Sequence, residues 1–358
     1  MPSPAPAITH GGLVAFELEA LQIAPHDVLD LSVNVNPYGP CAAVRDAIAA
    51  ADLRQYPDPT ARLARRALAA WLDVAEARVV VGNGAVDLLW TLARAWLRPG
   101  AVVMTVEPTF SELRAAATRV GARVEAYRLD PARDFELDLS ALDAELARLR
   151  PRLLYVCSPS NPVGRCTSPE GLADLAERHP ETLFVVDISF LSLSTQHAGA
   201  VWRSSERIVW LRSLTKDHAL AGLRIGCAIV PPVIAKRIEE ERPPWSVNAL
   251  AQAAATAIAS EEADGFVDTS RRQLLEHRVR LETALRRLSL RPHGSETIFV
   301  LADLGARHAT DLRATLLREH RVLIRDCTSF GLPNHVRIAS RPDGDLDRLV
   351  SALAQVLA

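Results

Sequence analysis

Ile208-Val209-Trp210-Leu211-Arg212-Ser213-Leu214-Thr215-Lys216, with Ala221-Gly222-Leu223-Arg224-Ile225-Gly226 shortly after it, is the stretch on which the fold turns. Its first four residues are apolar on both faces, as a strand covered on both sides must be. A polar loop bearing a lysine follows at once, and a strand-end loop of an α/β sheet is where ligands usually sit. Lysine occurs only at Lys216 and Lys236, which leaves arginine at 39 of the 41 basic positions. Arginine replaces lysine in most surface roles, but its guanidinium stays protonated and is a poor nucleophile. Amine chemistry therefore has two candidates. Lys236 lies on a charged helical face within Val233–Glu241 and reads as an ordinary surface residue. Lys216 stands beside Ser213, Thr215 and Arg224, two hydroxyls and a fork-shaped cation suited to a phosphate ester.

Outward from that loop, short apolar runs recur at Arg78–Val81, Ala101–Val106, Leu153–Val156, Leu183–Val186, Arg207–Leu211 and Ile225–Val230. Helical periodicity falls between several of them, at about Asp87–Leu97, Ser111–Val120, Leu139–Leu149 and Pro169–Arg178. Alternating strand and helix predict an α/β core around a mostly parallel sheet. Before it, a turn-rich arm over residues 1–45 carries one short helix around Leu13–Leu21. After the Pro-Pro-Trp of 243–245 the pattern changes to two long helical stretches, about Ala249–Ser260 and Phe266–Leu288. Shorter strands follow near Thr297–Leu301, Val322–Arg325 and His335–Ile338, and a helix at about Leu346–Leu357 ends the pattern. The expected organisation is an arm (1–45), a large domain (46–245) and a smaller α+β domain (246–358).

The 358 residues carry 41 basic and 43 acidic side chains, a balance that argues against nucleic-acid binding. No run approaches the ~20 apolar residues of a membrane helix. The opening Met1–Gly12 lacks the layout of a secretion signal, so a cytoplasmic protein is expected. Cys41, Cys157, Cys166, Cys227 and Cys327 are odd in number, scattered and without a C-x-x-C pair. They suggest neither a disulfide framework nor a metal site.

Further motifs fall at strand ends. Gly82-Asn83-Gly84-Ala85-Val86-Asp87 joins a strand to a helix, where glycines admit a phosphate to the first helical N–H groups. Asp187 ends Leu183–Val186 and reads as a helix cap or as an ion partner for a ligand in a cleft. Asn161, in Ser158–Gly164, could donate to a phenolic oxygen, and Phe110 packs in the core or stacks on a flat ring. An amine with a phosphate clamp and a carboxylate suits pyridoxal phosphate, which offers an aldehyde, a phosphate and a ring nitrogen.

Taken in order, the Gly82–Gly84, Pro108–Phe110, Ser160–Gly164, Asp187, Ser213–Lys216 and Gly222–Gly226 motifs resemble the fold-type-I aminotransferase superfamily over nearly the whole chain. Tyr56-Pro57-Asp58-Pro59 and Asn36-Pro37 are similar to histidinol-phosphate aminotransferases. His10-Gly11-Gly12, Pro244–Ala249, and Leu323–Cys327 with Val336–Ala339 lean instead toward a relative, the cobalamin-pathway threonine-phosphate decarboxylases. The resemblance implies that Lys216 holds the cofactor and moves protons. Asp187 would pair with the ring nitrogen, Asn161 with the ring hydroxyl, and Phe110 would stack. The Ala85 and Val86 amides, Ser213, Thr215 and Arg224 would hold the phosphate. Tyr56 would reach the phosphate of a partner subunit, which implies a homodimer with shared active sites. Arg337 would bind the substrate carboxylate, with His10, Asn36 and Arg325 as further candidates around a phosphorylated amino-acid substrate.

The sequence departs from the superfamily where Asp-Glu-Ala-Phe or Asp-Glu-Ala-Tyr is usual and Asp187-Ile188-Ser189-Phe190 stands instead. Phe190 lacks a tyrosine hydroxyl found in many transaminases, which favours decarboxylation. The leading expectation is therefore decarboxylation of threonine O-3-phosphate to aminopropanol phosphate. The alternative is a histidinol-phosphate-type aminotransferase using 2-oxoglutarate. A third reading, motivated by the altered segment, is a non-catalytic protein that binds the cofactor.

Overall fold

A computed structural model describes residues 10–197 and 205–357, so the first nine residues of the expected arm lie outside the described part. The chain forms two compact units, one of residues 35–273, the other of the residues up to Asn34 with those from Leu274 onward. The divisions fall at 34/35 and 273/274, where the sequence pattern placed them at 45/46 and 245/246. Two packings move them. The helix Ala42–Ala49 packs on Ala249–Ile258 inside the larger unit. A single 27-residue helix, Glu261–Arg287, runs through the second division.

The larger unit is built on a seven-stranded sheet. Its spatial order is Val79–Gly82, Gly226–Ile229, Ile208–Ser213, Leu183–Asp187, Leu153–Cys157, Val102–Glu107 and Arg123–Arg128. All neighbours run parallel except Gly226–Ile229, which is antiparallel to the strands on both sides. The sheet is mostly parallel, as expected.

Strand side chains alternate between two apolar clusters. Leu154, Val156, Phe184, Val186, Ile208 and Trp210 enter one, and Leu153, Tyr155, Leu183, Val185, Val209 and Leu211 the other. Burial on both faces explains the unbroken apolar runs, and each large side chain so covered contributes about 1.5–3 kcal/mol. The helix Ala85–Trp96 lies in the second cluster through Leu88, Leu89, Leu92, Ala93 and Trp96, a spacing that puts them on one face. The edge strand Arg123–Arg128 escaped the sequence reading. Three of its six residues, Arg123, Glu125 and Arg128, are charged, and none of its side chains is fully buried.

The smaller unit holds an antiparallel sheet in the order Arg325–Asp326, His335–Ala339, Phe299–Asp303 and Arg291–Pro292. A short parallel pair, Leu29–Asp30 with Val322–Leu323, ties the N-terminal residues to this unit. Its core gathers Leu31, Leu285, Val300, Leu316, Ile324, Ile338 and Leu349, with the helices Ala309–His320 and Asp343–Leu357 supplying several members. No helix among the described residues is long and apolar enough to cross a membrane.

Candidate active site

At the strand ends of the larger unit, the sheet register collects the motifs. Asp187 pairs with Cys157 on one side and Leu211 on the other, and Ser213 pairs with Gly226, which in turn pairs with Gly82. The alternation that buries Leu183 and Val185 in the second cluster carries Asp187 to the same face as Tyr155, and Ser213 follows Val209 and Leu211 there. This is the face on which the helix Ala85–Trp96 packs.

Gly226 has no room for a side chain. A Cβ there would lie 2.6 Å from the Ala85 amide nitrogen and 2.9 Å from the Gly84 carbonyl carbon. Gly84, at φ +83°, caps the helix, and a Cβ on it would meet Arg224 Nη2 at 2.7 Å. The two glycines thus let the helix N-terminus, the Arg224 guanidinium and the Ser213 strand close on one another. Arg224 is held by its own loop, with Nη1 donating to the Ala221 carbonyl at 3.1 Å. The hydroxyls of Ser213 and Thr215 are 2.7 Å apart, both buried. Helical amides, a guanidinium and two hydroxyls form a donor set that matches a phosphate dianion. These residues fit the phosphate of pyridoxal phosphate.

Asp187 is buried and well held. Tyr155 Oη donates to Oδ2 at 2.9 Å, and the Ser189 amide donates to Oδ1 at 3.0 Å. Burial pushes its carboxyl above the usual range, while the bonds from Ser189 and Tyr155 and the nearby Lys216 charge pull the other way. A buried carboxylate with this balance suits a cationic partner, as the ring nitrogen of pyridoxal phosphate becomes when protonated. The Ser158 amide donates to the Asp187 carbonyl at 2.8 Å, which brings the turn bearing Asn161 to the aspartate. Asn161 is itself buried. Phe110 is half-buried and packs against the second cluster.

Lys216 is only partly buried, and its charge reaches Asp187. Its backbone is clasped by Asn36. The Asn36 amide donates to the Lys216 carbonyl at 2.8 Å, and Nδ2 donates to the Asp217 carbonyl at 2.9 Å. Asn36 Oδ1 accepts from the Tyr38 amide, and the residue is 2% exposed. Asn36 thus helps to shape the lysine loop. Tyr56 projects into solvent, 82% exposed, with its ring 4.9 Å from that of Trp245.

In the smaller unit, Arg325 and Arg337 sit opposite each other in neighbouring strands, both buried. Arg337 Nη2 donates to the Ser32 carbonyl at 2.6 Å, and Arg325 Nη2 to Ser329 Oγ at 2.6 Å. Burial lowers Arg337 to about 10, and Arg325 pushes it the same way. The two arginines pair Cα to Cα across the ladder and their like charges repel, which an anion would relieve. His10 is exposed in this unit. Among the described residues no cluster of three or more His, Cys, Asp or Glu side chains could hold a metal ion.

Two residues of the site were not legible in the sequence. Tyr155 hides inside the apolar run Leu153–Val156, and only its lone hydroxyl two residues before a strand end hinted at a polar partner. Ser189 was noticed solely as a departure from the family pattern. Tyr155→Phe keeps the ring and removes one donor to a carboxylate. It is expected to destabilise the protein by about 1.5–3 kcal/mol at neutral pH. That loss should shrink in acid, where Asp187 takes up a proton and no longer needs the donor as strongly. Urea denaturation at the two pH values measures both.

Residues 26–353 match the family described as aminotransferase class I and II. A histidinol-phosphate aminotransferase from Symbiobacterium thermophilum is 35% identical over 343 residues, 94% of this chain and 92% of the relative. The histidinol-phosphate aminotransferase 2 of Ralstonia nicotianae is 34% identical, covering 96% of this chain and 91% of its own. Among solved structures, the histidinol-phosphate aminotransferase of Sinorhizobium meliloti, in complex with pyridoxal-5'-phosphate, superposes with a TM-score of 0.86. It covers 100% of this chain and 98% of its own at 24% identity, a likeness of fold. The L-threonine-O-3-phosphate decarboxylase of Porphyromonas gingivalis reaches a TM-score of 0.79 at 28% identity, covering 91% and 98%.

These relationships overturn the leading expectation of threonine-phosphate decarboxylation, because the full-length relatives at 31–35% identity are named histidinol-phosphate aminotransferases. The segments that leaned the other way have structural employment. A Cβ on Gly11 would lie 2.4 Å from the Ser32 carbonyl oxygen, and the Gly12 amide donates to Ser32 Oγ, so these glycines serve close backbone approach. Asn248 caps the helix Ala249–Ile258 through the Ala251 amide, and Val336 and Ile338 are strand core. Phe190 is a buried apolar side chain.

Proposed function

Because the chain belongs to the class I and II aminotransferases, a pyridoxal-phosphate-dependent family, we propose that it is a histidinol-phosphate-type aminotransferase working with glutamate and 2-oxoglutarate. The observation that carries this choice is the 35% identity spread over 94% of the chain.

Bound pyridoxal phosphate supplies an aldehyde that condenses with amines and a ring that withdraws electrons from the bonds at the substrate's Cα. Around it each residue has a task. Lys216 Nζ would anchor the cofactor in the resting enzyme and would then serve as the base that takes the proton from the substrate's Cα and gives it back. Asp187 would keep the ring nitrogen protonated, Asn161 would donate to the ring hydroxyl oxygen, and Phe110 would lie against the ring. The Ala85 and Val86 amides, Ser213, Thr215 and Arg224 hold the phosphate. Tyr56, exposed in the single chain, completes the phosphate site of a partner subunit in a homodimer.

Substrate recognition follows from the chemistry of two alternating amino donors. Glutamate brings an α-carboxylate, and histidinol phosphate has a phosphate ester in that region of the molecule. Arg337 takes either anion, and Arg325 and His10 offer further N–H donors to the phosphate.

Incubating the cofactor-loaded protein with histidinol phosphate and 2-oxoglutarate should yield glutamate in multiple turnovers, with no product when the keto acid is left out. Carbon dioxide released from O-phosphothreonine without a keto acid, and no glutamate in the first assay, would reject the proposal.

A further inference from the structure

The segment Asp187–Phe190 departs from the family pattern, and none of the roles above uses the hydroxyl of its Ser189 or that of Ser192 just beyond it. The structure places both at the lysine loop. The Ser189 amide donates to Asp187 Oδ1 at 3.0 Å, and Ser189 Oγ accepts from the Ser213 amide at 3.0 Å. Ser213 in turn shares a hydrogen bond with Thr215 at 2.7 Å, directly before Lys216. Three residues beyond Ser189, Ser192 Oγ accepts from Arg212 Nη2 at 2.6 Å. The same Nη2 reaches Asp217 Oδ2 at 3.1 Å, directly after Lys216. Arg212 also lies over the Trp71 ring, 4.3 Å from its centroid, on the opposite face of the sheet from Asp187.

We propose that Ser189 and Ser192 are positioning residues that register the Lys216 loop against Asp187, one from each face of the sheet. The inference rests on the pyridoxal-phosphate reading of this site. Lys216 would have to meet the cofactor's aldehyde while Asp187 meets its ring nitrogen, yet Asp187 ends one strand and Lys216 lies in the loop after its neighbour Ile208–Ser213. The ladder between these two strands ends at Asp187–Leu211, and past it the segment after Asp187 meets the strand leading to Lys216 through the two serine hydroxyls. Ser189 closes the gap with a single side chain, donating from its backbone to Asp187 and accepting from the Ser213 amide. A hydroxyl is the smallest group that can accept that buried amide; alanine leaves it without a partner. The Arg212–Asp217 pair is buried, with 11% and 1% side-chain exposure. A buried ion pair is a weak source of stability but a directional restraint, which suits registration. Displacements of about 1 Å in a catalytic group can cost 100-fold in rate, so such restraints have an effect out of proportion to their number.

The test reads cofactor binding without substrate. Pyridoxal phosphate is titrated into cofactor-free protein and followed by visible absorbance, giving a dissociation constant and the rate at which the Lys216-linked band appears. Ser189→Ala should weaken binding about 5–10-fold and slow band formation, as expected for losing one buried hydrogen bond. Ser189→Thr, which keeps the Oγ, should recover most of both. Ser192→Ala, at a partly exposed position, should slow band formation with an unchanged melting temperature. Wild-type binding and band rate in both alanine variants would overturn the inference, even if their melting temperatures fall, because the serines would then be ordinary packing. Normal binding by the wild type with no amino transfer would instead reject the function proposed above and leave this inference standing.

Discussion

Replacing Lys216 with alanine is expected to lower amino transfer from histidinol phosphate by at least about 10⁴-fold while leaving the fold intact. The size follows from two roles lost together: the covalent anchor, and the general acid–base group, itself worth about 10²–10⁴-fold. The fold should survive because the loop is held by its neighbours. Asn36 clasps the Lys216 and Asp217 carbonyls, and Arg212 holds the Asp217 carboxylate, none of which involves the lysine side chain. Lys216→Arg should not rescue, since a guanidinium remains protonated and does not condense with aldehydes. The composition makes the test unusually clean. Lysine occurs at only two positions, and Lys236 is an exposed helical residue 3.8 Å from Glu240. Reducing the cofactor-loaded protein with borohydride and digesting it should therefore give one modified peptide, containing Lys216. Modification of Lys236 at equal yield, or turnover within 10-fold of wild type in Lys216→Ala, would show that the amine chemistry lies elsewhere.

Much of this site was legible because its chemistry needs rare residue types at strand ends. A lysine that stands out among arginines, an aspartate closing an apolar run and a glycine turn before a helix are all punctuation in a covered parallel sheet. The structure gathers them through the register of five neighbouring strands. What escaped was either hidden in an apolar run or dependent on long-range pairing. Tyr155 looked like core because it is core, with only its hydroxyl aimed at Asp187. Asn36 has the chemistry of a ligand-binding amide, and nothing in its local sequence shows that a backbone 180 residues away consumes it. The choice between transamination and decarboxylation was illegible for another reason. Both reactions use the same cofactor site, and the segments that seemed to separate them proved to be close backbone approaches, a helix cap and strand core.

Asp187→Asn separates the catalytic role proposed for the aspartate from its structural one, because the two are expected to move in opposite directions. The carboxylate is 5% exposed, and burial raises its pKa above the ordinary value despite three hydrogen bonds and the Lys216 charge. A carboxyl whose folded pKa lies above its unfolded one stabilises the fold at low pH, and that contribution is lost as pH rises through the folded pKa. At neutral pH the cofactor-free protein thus bears a cost for an ionised Asp187. Asparagine is isosteric, uncharged and able to accept from the Ser189 amide while donating to the Tyr155 oxygen. Cofactor-free Asp187→Asn should therefore melt no lower than wild type at pH 7, and its advantage should vanish as the pH falls. Catalysis should behave otherwise. An amide does not hold a proton on the ring nitrogen, so the ring withdraws electrons less strongly and the substrate's Cα proton becomes harder for Lys216 to remove. A preorganised charge in a water-poor site is worth several kcal/mol, and kcat should fall about 10³-fold or more. The loss should appear in kcat with a smaller change in KM, since the substrate's anions are gripped by other residues. Calorimetry on the cofactor-free protein and steady-state kinetics on the loaded one decide the matter together. A large drop in melting temperature would make Asp187 a structural residue, and a kcat within 10-fold of wild type would remove it from the chemistry.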